Sequence, residues 1–410
     1  MLSGLTLWQA LAVIAVGNLL WALVGLVAVS GPAAGTPSEV ITRAMYGVRG
    51  NKVYIAVVAW FASVCYLAIN WAAASVAAFS LVERLGIETG PVVKTAVITA
   101  IAVATLAISV YGHSAIIRLY VPFTLVLTAV FLVLSGFVAG HVDWGYRPAE
   151  PLHGPALWAA VSGGLALVAS TPLSYSNSAD FSRYLPRGTS PAAIAGWTTL
   201  GAYLPSVLFT ALGALAATTL DMTDPQRGLE GVLPSWFQPV FILAVILGSI
   251  CNNAMTAYSS GLALQVMGVR LLRAQSVVLD GVIGVALTLY ALLVSNFLDS
   301  VSGMLELMVA LMGPSIAIYA ADILLRRNRY DGTALVDATR TSPFWYTGGV
   351  HRAGVAALVA GAVAAVLCLD TLAYTGPVAR AAGMDLSLPA GLITAAALYL
   401  AMARPDRTAR

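Results

Sequence analysis

A polar stretch that follows an apolar segment offers the clearest chemistry in this sequence. Residues 157–168 are apolar, and residues 170–187 continue directly with hydroxyls, an amide and Pro172. Pro172 removes a backbone donor and disfavours helical geometry at Thr171. Irregular backbone at membrane depth is tolerated only where protein or a water-filled cavity satisfies its N–H and C=O groups. The pattern therefore predicts a broken helix that binds a small polar solute.

The side chains of this break could contact such a solute. Residues 174–180 include three serines, Asn177 and Asp180. An unwound backbone would add carbonyls, N–H groups and the partial charges of two half-helix ends. The alternative is that these residues hydrogen bond neighbouring helices, as polar residues do in many bundles. So many polar residues beside a proline favour a site, and we expect Thr171, Ser174 and Asn177 to bind substrate.

Charged residues follow at the end of the same stretch. Asp180 and Arg183 are three residues apart and could pair across one helical turn. One interpretation is interfacial charge that controls topology. The other is an inner gate whose ion pair opens during transport.

A second polar cluster interrupts the apolar segment at 248–261. Two adjacent asparagines, Asn252 and Asn253, are costly in a bilayer unless they face a partner or a cavity. Their oxygens could bind a hard cation, or their amides could hydrogen bond a solute. The glycines and serines around them, Gly248 among them, suit close helix packing.

An aromatic residue and an amide share one helix face in the segment at 53–81. Tyr66 and Asn70 are four residues apart. An aromatic ring beside an amide suits a flat, hydrogen-bonding ligand, although a packed aromatic with a helix-bridging amide gives the same pattern. Further along, Glu306 lies well inside an apolar segment, where a carboxyl group prefers to be neutral. It could carry a coupling proton, line an extracellular vestibule or pair with another helix.

The elements that position these residues are transmembrane helices. The chain of 410 residues is 59% hydrophobic and 10% charged, whereas a soluble domain averages about 25% charged residues. Eleven apolar windows are long enough to cross a bilayer, at about 7–30, 53–81, 92–112, 119–140, 157–180, 194–218, 236–264, 276–295, 300–325, 353–372 and 387–403. Alternating sides place sixteen of the 21 Lys and Arg residues in cytoplasmic segments. We therefore expect an all-α, multi-pass protein of the cell membrane with a cytoplasmic C-terminus.

Other classes of protein find little support in the sequence. The three cysteines lie in apolar segments without metal-like spacing, and the four histidines lie in or near loops. Neither a phosphate-binding loop nor a dinucleotide fingerprint after a strand is present. We expect no metal site, no cofactor, no nucleic-acid partner and no enzyme activity. An intramembrane enzyme is disfavoured because no histidine–carboxylate or serine–base arrangement lies at one depth.

The chain resembles the nucleobase–cation symport family, which includes the cytosine, purine, allantoin and hydantoin permeases. The marks of the resemblance are spread along the sequence, at 47–50, 177–184, 253–262, Pro314 with Asp322, 326–331 and 343–349. It implies the leucine-transporter inverted-repeat fold, with residues 7–29 as the family's second helix and the family's first helix missing. The implied organisation is 1–152 for the first repeat, 153–335 for the second, with its broken helix near 170–178, and 336–410 for two C-terminal helices and a tail.

The resemblance also implies roles for individual residues. Tyr66 stands where members place a substrate-stacking aromatic, Asn70 matches a polar position one turn later, and Asn177 matches a recurring asparagine. Thr171 replaces a second stacking aromatic found in some members. Together with the polar stretches themselves, the resemblance predicts a substrate-binding set of Tyr66, Asn70, Thr171, Ser174, Asn177 and Asn253.

The same resemblance bears on the coupling ion. Gly248, Cys251 and Asn252 mark the coupling-ion region, and sodium-coupled members have hydroxyl ligands at the last two positions. A thiol is a poor ligand for a hard cation, which favours proton over sodium. Asp180, Arg183 and Glu306 are the gate or proton candidates. The expected function is import of a nucleobase-like ring by cation symport. The alternative is a truncated, non-transporting membrane protein derived from such a permease.

Overall fold

The computed structural model describes residues 4–111, 113–222, 228–229, 231–293, 297–371 and 374–403, with the helical backbone alone at 113, 115, 273 and 297–307. Within these ranges the secondary structure is helical. Two isolated bridges, Thr347 with Val350 and Asp370 with Thr375, are the β pairings there. The all-α class expected from the hydrophobic pattern is confirmed.

Eleven apolar helical segments account for the predicted spans in the described part of the chain. Nine are long and apolar enough to cross a membrane: Leu7–Ala34, Val48–Arg84, Pro91–Tyr111, Ile116–Ala139, Gly154–Leu173, Pro191–Ala216, Gln238–Met267, Ala274–Leu293 and Met308–Leu325. Two shorter apolar helices are Arg352–Leu367 and Ser387–Met402. Each of the eleven windows read from the sequence coincides with one of these segments.

Several segments are divided or joined by short helices. The first apolar segment consists of Leu7–Asn18, Trp21–Ala28 and Ser30–Ala34. A π-helix at Ile55–Phe61 joins Val48–Tyr54 to Ala62–Arg84, so this helix begins before the predicted window. The remaining short helices are Ser38–Ile41, Arg43–Tyr46, Ala179–Ser182, Gly332–Val336, Pro343–Trp345 and Pro377–Ala382.

The helices belong to two compact units, each discontinuous in sequence. The first unit contains Met1–Val58, Tyr146–Ala211 and Gly303–Arg410, and the second contains Ala59–Gly145 and Leu212–Ser302. The predicted boundaries after residues 152 and 335 separate sequence repeats, whereas the compact units group residues that are close in space. It stays a prediction.

The first unit includes a buried polar network centred on Asp322. Its carboxylate oxygens lie 2.9 and 3.2 Å from Nε of Arg326, and they accept hydrogen bonds from the hydroxyls of Tyr330 (2.8 Å) and Tyr399 (2.6 Å). Arg326 also donates to the hydroxyl of Tyr346 at 3.0 Å. The network ties helix Ser387–Met402 to the end of Met308–Leu325, and its donors offset the loss of water around the buried Asp322 side chain.

The second unit packs the helices Ala62–Arg84, Pro91–Tyr111, Gln238–Met267 and Arg273–Leu293 around an apolar cluster. Trp71 is fully buried there and donates its indole N–H to Thr105 at 3.0 Å. A carboxylate, Asp280, is also fully buried in this unit and accepts from Trp60 and Ser260, each at 2.7 Å. Both donors compensate for the loss of water around that charge.

Candidate functional site

A break in the fifth apolar segment lies in the first unit. Helix Gly154–Leu173 ends at Leu173, five turn residues follow, and Ala179–Ser182 resumes the helix. The backbone N–H of Ser174 still donates to the carbonyls of Ser170 and Thr171, and Tyr175 donates to the carbonyl of Pro172 at 3.1 Å. The structure places the break at 174–178, inside the interval expected from the proline and the polar residues after it.

The predicted substrate-binding residues of this break differ in what their side chains contact. The hydroxyl of Ser174 donates to the carbonyl of Thr171 at 2.7 Å, so it stabilises the turn itself. Thr171 is exposed and Asn177 is half-buried. The carbonyl of Asn177 accepts from the backbone of Asp180 at 3.0 Å, and its side-chain amide has no partner among the described residues. Asn177 therefore offers a ligand both a donor and an acceptor.

Two serine hydroxyls attach the resumed helix to the first apolar segment. Ser178 donates to the carbonyl of Val24 at 2.9 Å, and Ser182 donates to the carbonyl of Ala28 at 2.7 Å. Gly31 permits the close approach, because a Cβ there would lie 2.2 Å from Oγ of Ser182 and 2.7 Å from N of Arg183. The end of the break and the helix after it are therefore held against the first apolar segment.

The aromatic residue of the turn packs on the same segment. The ring of Tyr175 lies 5.2 Å from that of Trp21, measured between centroids, at an angle of 48°. The indole N–H of Trp21 donates to Asn18 at 3.2 Å, and Ser206 donates to the same oxygen of Asn18 at 2.6 Å. Because Asn18 is fully buried and satisfied, Trp21 is held in one orientation beside the turn.

Asp180 and Arg183, the proposed gate residues, take separate backbone partners. Oδ1 of Asp180 accepts from the backbone N–H of Ser38 at 2.8 Å, whereas Nε of Arg183 donates to the carbonyl of Asp180 at 3.2 Å. Glu39, which the sequence interpretation did not select, lies beside them and is 3% exposed. Burial, together with the neighbouring Asp180 carboxylate, raises the pKa of Glu39 well above its ordinary value.

The side-chain amides of Asn70 and Asn253, both predicted to bind substrate, form one hydrogen-bonded chain in the second unit. Nδ2 of Asn70 donates to Oδ1 of Asn253 at 2.9 Å, and Nδ2 of Asn253 donates to the carbonyl of Leu67 at 3.0 Å. The hydroxyl of Ser249 donates to the carbonyl of Asn70 at 2.6 Å. Asn253 is fully buried, so both ends of its amide are used in joining Ala62–Arg84 to Gln238–Met267. Tyr66, one turn before Asn70, is half-buried.

The coupling-ion candidates lie on helix Gln238–Met267 of the same unit. The carbonyl of Cys251 accepts a hydrogen bond from the hydroxyl of Tyr120, and the carbonyl of Asn252 accepts from Thr256 at 3.2 Å. Gly248 is half-buried. Glu306 belongs to helix Phe297–Leu325, and its side chain is outside the described residues.

Comparison with known proteins gives one family over nearly the whole chain. The model of permeases for cytosine/purines, uracil, thiamine and allantoin matches residues 1–388. A putative purine-cytosine permease, YxlA, of Bacillus subtilis (strain 168) is 23% identical over 424 residues, which cover 98% of this chain and 87% of the relative.

Solved structures share the fold. Mhp1, a nucleobase-cation-symport-1 family transporter in a closed conformation with bromovinylhydantoin bound, has a TM-score of 0.76 at 18% identity, over 97% of this chain and 86% of Mhp1. Mhp1 in its inward-facing conformation has a TM-score of 0.73 at 18% identity, over 97% of this chain and 84% of that structure. The manganese transporter of Eremococcus coleocola has a TM-score of 0.53 at 15% identity, over 95% of this chain and 88% of that structure. The leucine-transporter fold expected from the sequence is confirmed.

Proposed function

The chain belongs to the family of permeases for cytosine/purines, uracil, thiamine and allantoin, and from that premise we propose that it imports a nucleobase-like ring with a cation. It is a multi-pass membrane transporter. We place it in the cell membrane with a cytoplasmic C-terminus, because most Lys and Arg residues then face the cytoplasm. Transport of this kind requires no covalent chemistry and no bound cofactor.

The observation that carries the proposal is the unwound turn at 174–178. The turn follows a membrane-length helix, and the amide of Asn177 has no partner among the described residues. A nucleobase presents donors and acceptors along its edge, and an amide can match both kinds of group. We assign Asn177 to ring recognition. Thr171, which is exposed, is a further contact on the same unit.

In the second unit we assign ring recognition to Tyr66 and Asn70. An aromatic side chain can stack on a flat ring, and Tyr66 is half-buried one turn before Asn70. Asn253 supports this face, since its amide holds Asn70 at 2.9 Å.

A proton suits the coupling-ion region better than sodium does. Sodium binds oxygen ligands, and the side chain of Cys251 offers a thiol instead. The carbonyl of Cys251 already accepts from Tyr120, and the amide of Asn253 is used within the unit. The thiol in place of an oxygen ligand therefore favours proton over sodium coupling.

Uptake into cells that express the chain tests the proposal. Labelled cytosine, adenine, uracil, allantoin and hydantoin are supplied separately, and at least one is expected to accumulate above cells without the protein. Asn177→Ala and Tyr66→Ala should each lower that uptake at least tenfold without changing membrane abundance. Ser162→Ala and Tyr111→Ala are the matched controls, because Ser162 donates only to its own helix and Tyr111 is exposed.

Two results would contradict the proposal. Full uptake by both site variants would remove Asn177 and Tyr66 from the substrate site. Absence of uptake for every ring, with folded protein present in the membrane, would contradict transport of nucleobase-like rings and favour a non-transporting membrane protein.

A further inference from the structure

Glu39 and Asp180 are two acidic residues that the fold of the first unit brings together. Glu39 lies in helix Ser38–Ile41 and Asp180 in helix Ala179–Ser182, 141 positions later. Their side chains are 3% and 0% exposed. The backbone N–H of Ser38 donates to Oδ1 of Asp180 at 2.8 Å, which fixes the two short helices against each other.

The surroundings of Glu39 contain several buried polar oxygens without partners among the described residues. Four buried side-chain oxygens there have no hydrogen-bond partner in the described part of the chain: Thr36 Oγ1, Ser38 Oγ, Glu39 Oε2 and Asn51 Oδ1. Asn51 belongs to the same place, because its Nδ2 donates to the carbonyl of Glu39 at 2.7 Å. Buried oxygens in this number are normally satisfied by a donor, an ion or a water molecule.

The charged and titratable groups that face Glu39 come from three elements. Asp180 and Arg183 approach from the segment after the break, Tyr54 from helix Val48–Tyr54, and Tyr319 from helix Phe297–Leu325. Arg183 is the single cation among them. Two ionised carboxylates here would leave one uncompensated negative charge in a buried place, which is strongly unfavourable.

The carboxyl groups of Glu39 and Asp180 interact electrostatically, and the backbone N–H of Ser38, the neighbour of Glu39, lies 2.8 Å from Oδ1 of Asp180. Ionised carboxylates are acceptors only, so a bond between two of them requires a proton. Asp180 already accepts the N–H of Ser38 at 2.8 Å, whereas Oε2 of Glu39 has no partner in the described part of the chain. The proton therefore belongs on Glu39.

We propose that Glu39 and Asp180 form a proton-binding site in which Glu39 holds one exchangeable proton and donates a hydrogen bond to Asp180. The site differs from the break at 174–178 and from the coupling-ion region on helix Gln238–Met267. High burial keeps water away from the proton while the two helices remain in contact. Separation of Asp180 from Glu39 would remove the acceptor, admit water and release the proton.

The role of this proton in transport rests on the proposed function. Asp180 lies two residues after the break. Ser178 of the break and Ser182 of the following helix donate hydrogen bonds to the first apolar segment. A movement of the broken helix when substrate binds or leaves would therefore move Asp180 relative to Ser38 and Glu39. One proton would be exchanged in each transport cycle.

Infrared titration of the purified full-length chain tests the proton directly, without transport. Wild-type protein should show a carboxylic-acid carbonyl band at pH 7 that is missing from Glu39→Gln. The glutamine keeps the size of the side chain and can donate to Asp180, so the fold should survive. Glu150→Gln, at an exposed position, should retain the band. Asp180→Asn removes the charged acceptor but retains an oxygen for Ser38, and it should shift the pH at which the band disappears.

An unchanged band in Glu39→Gln would overturn the proposal. Sodium is the other occupant to be tested: a rise in melting temperature with sodium chloride over choline chloride, lost in Glu39→Gln, would also overturn it. Choline chloride at equal ionic strength is the control for screening.

Proteoliposomes test the coupling role separately. Glu39→Gln should exchange labelled substrate across the membrane at close to the wild-type rate but lose accumulation driven by a pH gradient, down to the equilibrated level. Accumulation equal to wild type would contradict coupling through Glu39. If wild-type protein shows the infrared band but transports no ring, the proposed function fails and the proton site stands.

Discussion

The side-chain amide of Asn70 donates to Oδ1 of the fully buried Asn253 at 2.9 Å, and Asn253 passes its own N–H to the carbonyl of Leu67. The pair makes Asn253 a support for Asn70 rather than an independent contact. Asn253→Ala should therefore lower the melting temperature in detergent, because it leaves two buried groups unpaired. Hydrogen bonds between membrane helices contribute about 0.6 kcal/mol on average and about 1.7 at most.

Thermal unfolding followed with and without substrate separates support from direct binding. Thr99→Ala is the control, since Thr99 is exposed and donates only to its own helix. We expect substrate to stabilise Asn253→Ala still, though with weaker affinity. Complete loss of substrate stabilisation at a wild-type melting temperature would instead make Asn253 a direct ligand.

Asp322 provides a second prediction, at the charged network of the first unit. Asp322→Asn removes the counter-charge of Arg326 while preserving shape. Breaking a buried ion pair costs about 3–5 kcal/mol, so the variant should unfold at a much lower temperature or fail to accumulate. Tyr399→Phe removes one hydrogen bond to the same carboxylate and should cost about 1.5–3 kcal/mol. Equal melting temperatures for wild type and Asp322→Asn would contradict the structural role of the network.

Close backbone packing at Gly354 gives a third prediction. A Cβ at this position would lie 1.8 Å from the carbonyl oxygen of Met45, which no side-chain rotation can relieve. Gly354→Ala should separate helix Arg352–Leu367 from Arg43–Tyr46 and lower stability. Gly201→Ala, where nothing lies within 4 Å of the new Cβ, should be neutral or slightly stabilising because alanine favours helix. Limited proteolysis and melting temperature both report the difference.

Gly31 tests whether contact with the broken helix matters for transport. Alanine there would meet the hydroxyl of Ser182 at 2.2 Å and the backbone nitrogen of Arg183 at 2.7 Å. Gly31→Ala should therefore push the 179–183 segment away and reduce uptake. Adding Ser182→Ala relieves only the first clash, so uptake should recover in part. Full uptake by Gly31→Ala would show that this contact has no part in the cycle.

The helical fold could be predicted from hydropathy because a membrane span needs a long apolar run, and each predicted window coincides with a helical segment. The position of the break followed from Pro172 and the polar residues after it. Finer divisions were not predicted: the first segment turns at residues 19–20 although its hydropathy is continuous, and a π-helix at Ile55–Phe61 lies within the second segment. These features depend on packing, which local composition does not record.

The candidate site was less accessible to sequence reasoning. Glu39 stands in a short polar stretch between two apolar segments, where a charged residue normally faces water. Its helix contacts Asp180, which is distant in sequence, so no window around Glu39 could reveal that Glu39 is buried. The signal that remained was the charge itself, a lone acid among Thr36, Ser38 and Thr42. Asn253 illustrates a different difficulty. The sequence marks it as a polar residue in a bilayer, but such an amide can bridge two helices as well as bind a ligand.

The raised pKa of Glu39 makes the stability of the chain depend on pH with a definite sign. A carboxyl group whose pKa is higher in the folded than in the unfolded state binds more protons when folded. Its contribution is fully present below the unfolded pKa and is lost as the pH rises through the folded pKa. The apparent melting temperature of wild type should fall as the pH rises above the ordinary glutamate range, and Glu39→Gln should flatten this decline.

Asp331 provides a control for that titration, because its pKa is shifted in the direction opposite to that of Glu39. Its carboxylate caps helix Gly332–Val336, and hydrogen bonds from the Thr333 side chain and the backbone lower its pKa. A lowered pKa adds stability above the unfolded value that is lost as the pH falls through the folded value. Asp331→Asn should therefore alter the acid side of the curve and leave the alkaline decline intact. If Glu39→Gln changed the acid side alone, Glu39 would be ionised in the folded chain, and the proton that it shares with Asp180 would not exist.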